Sequence, residues 1–142
     1  MAITGANARI KINGDVIDGL NATSLPSPAR EQYDQREYEK AVKKVSGNVN
    51  WGSASFNGNF ESDSTAQLSI RTLFDNDTEI TNWEIYPDVV GSPSLYLGPD
   101  IVSDPDTCIK ISAVDRMTIN ENGLVTWGFD IQFNGPWKWN GR

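Results

Sequence analysis

Histidine is missing from all 142 residues, and cysteine occurs once, at Cys108. Without histidine the commonest general base is gone, and with it the Ser-His and Cys-His nucleophile pairs and the usual zinc sites. A single thiol forms no intrachain disulfide, and thiol metal sites need several ligands. Cys108 is therefore expected as a small buried side chain in a strand. Long apolar runs are lacking too: no stretch has the apolar core of a signal peptide or the length of a membrane span. The expectation is a protein made in a cytoplasm with no membrane partner. Positive charge is scarce, with 12 basic against 19 acidic residues and a net charge of −7. An acidic surface repels phosphate, which excludes tight nucleic-acid reading but not loose passage of DNA along a wall that does not hold it. Neither a P-loop nor a dinucleotide-binding glycine motif is present, and no cofactor is expected.

Alternation is what the chain has instead. From Val125 to Phe133 the residues Val125, Trp127, Phe129, Ile131 and Phe133 share one face, while Thr126, Gly128, Asp130 and Gln132 share the other. That is a strand with one buried side. Glu121-Asn122-Gly123 before it is turn chemistry. Arg9–Ile12 and Asp15–Asp18 flank Asn13-Gly14, the signal of a two-residue type I′ hairpin. Asn48 to Phe60 reads as one or two short strands, with Gly52 and Gly58 marking bulges or close approach. Ile80–Tyr86 and Thr107–Ala113 are further strands, Trp83 and Ile85 sharing a face. Gly19–Arg30 reads as a loop.

One helix is expected, over Ser64–Phe74. Ala66, Ile70, Leu73 and Phe74 make an apolar stripe, Ser62 or Ser64 caps it, and Asp75-Asn76-Asp77 ends it. The acids after it begin like a calcium loop, but Ile80 stands where a glycine is needed and Tyr86 where the bidentate acid belongs. The fold class is mainly β, an antiparallel β-sandwich or barrel with one flanking α-helix. At this length a single domain over residues 1–142 buries about 70% of its unfolded surface and needs no staples.

Two segments stand apart from this core. Residues 28–46 form a densely charged arm, open to a helical or a hairpin reading. Its Glu31, Asp34, Arg36, Glu37, Glu39, Lys40, Lys43 and Lys44 are candidates for contact with another subunit, acids early and bases late. Residues 87–106 form a Pro-rich loop, broken by the run Ser94–Leu97, and loops this long are usually functional or docked on a neighbour. Trp137 and Trp139 share a face near the C-terminus. They suit either a sugar-stacking platform, as in a carbohydrate-binding module, or an anchor against the domain or a subunit.

The order of elements resembles a known family. The hairpin is followed by the charged arm, then Gly47-Asn48-Val49-Asn50-Trp51-Gly52, the helix opening Asp63-Ser64-Thr65-Ala66-Gln67-Leu68, Trp83-Glu84-Ile85-Tyr86, and a last strand closing Gln132-Phe133-Asn134-Gly135. Over most of its length the chain resembles the major tail tube protein of tailed bacteriophages. The resemblance implies a structural virion protein rather than an enzyme. It implies hexameric rings whose inner sheets join into one β-barrel, and stacking of those rings into the tube that delivers DNA. It further implies an acidic lumen that DNA crosses without specific binding, and contacts with other phage tail proteins. The arm or Pro-rich loop would reach the adjacent ring, and the helix would pack outside the sheet. Assembly would occur in the host cytoplasm and the final location would be the tail of the virion. Without that resemblance, the runner-up is a carbohydrate-binding β-sandwich module.

Overall fold

A computed structural model describes residues 8–35, 43–121 and 123–142, leaving aside the side chains of 31, 33–35 and 43–47. Arg9–Ile12 (β1) and Asp15–Val16 (β2) form the expected hairpin. Asn13 and Gly14 take φ of 54° and 84°, the positive values a type I′ turn requires. Leu20–Ser24 (β3), Ala29–Gln35 (β4), Lys43–Asn50 (β5) and Ser53–Asn59 (β6) follow. Next come the helix Thr65–Asp75 (α1) and the strands Trp83–Tyr86 (β7), Tyr96–Pro99 (β8) and Cys108–Ala113 (β9). Thr126–Asn134 (β10) and Trp137–Asn140 (β11) complete the chain.

The strands make two packed sheets, in the orders β11-β8-β7-β1-β2 and β3-β6-β10-β9, with β4-β5 as a separate two-stranded ribbon. All pairings are antiparallel. Among the described residues the sheets form a sandwich and no closed barrel. Alternation explains the core. Phe56 and Ala54 of β6 stand opposite Phe129 and Ile131 of β10, and Ile111 and Ile109 of β9 continue the same face. Ile10, Ile12, Trp83, Ile85 and Leu97 meet them from the other sheet. Phe56 stacks on Phe129 at 4.8 Å and Trp83 meets Phe133 edge-on at 5.1 Å. Each such side chain contributes on the order of 1.5–3 kcal/mol of transfer free energy.

The structure corrects several readings. Gly19–Arg30 is not one loop. Leu20–Ser24 pairs with β6 and β4 begins at Ala29. The pairing rests on Gly58, where a Cβ would lie only 2.1 Å from the Gly19 carbonyl oxygen, so β3 lies closer to β6 than a side chain there allows. The charged arm is a hairpin and not a helix as far as it is described. Tyr33 and Val45, Asp34 and Lys44, and Gln35 and Lys43 are register partners. The run at Ser94–Leu97 becomes a strand only from Tyr96, and it ends at Pro99. Cys108 is buried and free, as expected.

The helix lies against β9 and sends Ala66 and Ile70 into the core. Phe74, expected in the buried stripe, is 38% exposed, and the buried Gln67 takes a place in that face instead. Of the two candidate caps, Ser64 acts: its hydroxyl oxygen accepts from the Gln67 N–H at 3.2 Å. No helix among the described residues is long and apolar enough to cross a membrane.

Candidate assembly surfaces

The surfaces that bear on function are sheet faces and sheet edges. The outer face of the four-stranded sheet is polar because the partners of the core residues point away. Ser53, Ser55 and Asn57 stand beside Gln132, Asp130 and Gly128. Arg116, from the β9–β10 connection, lies across this face. Its guanidinium donates to Asp130 at 2.9 Å, to Asn57 at 2.8 Å, to Ser55 at 3.2 Å and to the Phe56 carbonyl at 3.1 Å. Gly128 makes room for it, since a Cβ there would sit 2.8 Å from the guanidinium nitrogen. Burial pushes the Asp130 carboxyl up, but the Ser55 hydroxyl and Arg116 outweigh it and hold the carboxyl below its ordinary value. Lys110 of β9 is paired with Asp77 at 3.3 Å. Sequence reading missed this network, because Arg116 sits in a connection with no motif around it.

The edges of this sheet are β3 and β9. Edge strands carry unpaired backbone groups and must be covered or paired. β9 is partly covered: Ile80 and Ile109 exchange both backbone hydrogen bonds, at 2.8 and 2.9 Å. At the β3 edge the two sheets part and leave a cleft of about 860 Å³. Ile10, Ile17, Leu20, Phe56, Ile85 and Trp139 line its floor and walls.

The helix joins the two edges. Gln67 donates to the Asp18 and Asn59 carbonyls and accepts from the Glu61 N–H, each at 3.0 Å, so its buried amide is satisfied. Arg71 reaches Asp115 at 2.8 Å, and Asp115 accepts from the Trp127 indole at 2.9 Å. On the other sheet, Tyr86 donates to Glu84, lies 5.1 Å from Tyr96 and has Lys11 over its ring.

The sequence candidates fall in different places. Trp137 and Trp139 are half-buried against the core, in a strand paired with β8. The Trp137 indole donates to the Trp51 carbonyl at 2.9 Å, and its ring meets that of Trp51 edge-on. Glu31, Asp34, Lys43 and Lys44 lie on the ribbon strands. Arg36, Glu37, Glu39 and Lys40 lie outside the described residues, as does Asn122. The ribbon differs in charge from the body. Residues 29–50 hold five basic and four acidic side chains, while the rest hold seven and 15. Among the described residues no three His, Cys, Asp or Glu side chains cluster closely enough for a metal.

A similar overall fold occurs in solved structures. A chain of the virion of a native gene transfer agent particle superposes with a TM-score of 0.70 at 20% identity, over 97% of this chain and 98% of that one. A chain from the tail of an empty gene transfer agent particle, solved with C6 symmetry, gives 0.65 at 17% identity over 94% of each. A chain of the sheath-tube complex of an extracellular contractile injection system, in its extended state, gives 0.69 at 8% identity, over 97% of this chain and 90% of that one. The fold is shared with chains of gene transfer agent particles and contractile injection systems, and the likeness runs over nearly the full length of both chains. These neighbours belong to structural particles and not to enzymes. No family model and no curated protein sequence matches the chain.

Proposed function

We propose that the chain is a tail tube subunit that forms hexameric rings, and that the rings stack into a channel for DNA. The observation that carries this reading is the four-stranded sheet, with one apolar face, one polar face and two incompletely covered edges. Because the strands alternate in direction, β3 of one copy and β9 of the next are antiparallel when copies repeat around an axis. Four strands from each of six copies give a closed sheet of about 24, with a backbone diameter of about 48 Å at a strand spacing of about 4.8 Å and ordinary tilt. That is wide enough to pass a DNA duplex lengthwise. Ring closure pairs the edges that are hazards in a monomer. The C6 symmetry of the gene transfer agent tail supports the number six.

The polar face of this sheet then lines the lumen. Its charges are paired, Asp130 with Arg116 and Lys110 with Asp77, so the wall is polar and close to neutral. Such a wall neither binds nor strongly repels phosphate. The near-neutral ribbon, on a body of excess negative charge, reaches the adjacent ring, and other tail proteins meet the ends of the tube. Assembly takes place in the host cytoplasm and the tube ends in the virion tail.

Negative-stain electron microscopy over a concentration series tests this. Six-fold hollow rings or tubes are expected at high concentration. A chain that stays monomeric throughout would count against it.

A further inference from the structure

Two features of the sandwich are unmatched within one copy. The cleft at the β3 edge is lined by apolar Ile10, Ile17, Phe56 and Ile85 together with polar Arg9 and Asp18, and it stands open among the described residues. At the opposite edge Phe74 is 38% exposed near the last turn of α1. That end of the helix is fixed to β9: α1 packs on β9, Asp77 pairs with Lys110 at 3.3 Å, and Ile80 bonds Ile109.

We infer that the cleft of one copy receives the C-terminal end of α1 from the next, with Phe74 as the inserted side chain. This rests on the ring reading, because lateral pairing of β3 with the neighbour's β9 is what brings helix end and cleft together. The occupant is a second copy of this chain for two reasons. The strand edge that carries Phe74 is the one that must lie beside β3 if the sheet is to close. Charge also agrees. The helix end carries Glu79 and the negative end of the helix dipole, while Asp75 and Asp77 are paired with Arg71 and Lys110, and exposed Arg9 stands on the cleft rim beside one acid, Asp18. An aromatic side chain entering an apolar pocket at the centre of a contact is the usual form of an interface anchor.

The test uses the full chain with Cys108→Ser, so that no native thiol competes. Phe74→Cys combined with Thr23→Cys, on the exposed cleft strand, should give under mild oxidation a disulfide ladder ending at six chains. Either cysteine alone should give no ladder. In parallel, Phe74→Ala should raise the concentration for half-assembly about tenfold or more. Leu68→Ala should leave it unchanged, because Leu68 is 68% exposed on the opposite face of the same helix. Phe74→Leu should recover most of the loss. Rings that form without the ladder, and with Phe74→Ala equal to Leu68→Ala, overturn the inference and leave the tube reading standing. Failure of the unaltered chain to form any ring overturns both.

Discussion

Trp83 and Trp127 are both buried in the core, yet their N–H groups meet different surroundings. The Trp127 indole donates to Asp115, which also holds Arg71, while the Trp83 N–H has no partner among the described residues. Both Trp→Phe substitutions trim the same volume. Trp127→Phe should therefore cost about 1–2 kcal/mol more than Trp83→Phe, because it leaves one acceptor of Asp115 unpaired. Denaturant midpoints at constant slope would measure the difference. Tyr86 offers a second contrast. Its hydrogen bond to Glu84, with burial adding to it, raises its pKa to about 12. The folded state thus favours the neutral phenol. The stability this contributes is fully present below the ordinary value of 10 and is lost as pH rises towards 12. Spectrophotometric titration should show one of the four tyrosines ionising near 12, and Glu84→Gln should return it towards 10.

The ribbon is the element most separate from the core. It forms its own two-stranded sheet, and an isolated hairpin is marginal in water, so the proposed assembly has a neighbouring surface hold it. Replacing residues 33–45 with Asn-Gly, which joins the register partners Gln32 and Ser46, should leave the melting temperature of the monomer nearly unchanged. Rings should still form, and stacking into tubes should be lost, as electron microscopy would show. At this scale the sequence was most legible where one principle acted alone. The β10 strand, the Asn13-Gly14 hairpin and the Ser64 cap all follow from local rules, and all are present. The readings that failed depended on partners distant in sequence. Leu20–Ser24 looks like a loop until Gly58 brings β6 within pairing distance. Phe74 has the periodicity of a buried residue, but it stays 38% exposed. Arg116 carries no motif, and its role appears only when residues about 60 positions earlier fold beneath it.

For the whole molecule, composition already pointed away from catalysis, and the two sheets show what replaces it. Packing energy sits between the sheets. In the proposed assembly the contacts between copies sit at the edges, which no local pattern reveals because a strand reads the same whether it ends a sheet or continues one. Chains of a gene transfer agent virion and of a contractile injection system sheath-tube complex share this fold at 20% and 8% identity. A cryo-electron microscopy map of the assembled protein tests the proposal at its centre. It should show a six-fold tube with the polar face of β3-β6-β10-β9 on the lumen and β3 hydrogen-bonded to the neighbour's β9. A tube lined instead by the five-stranded sheet, or rings whose β3 and β9 edges both remain in solvent, would refute it.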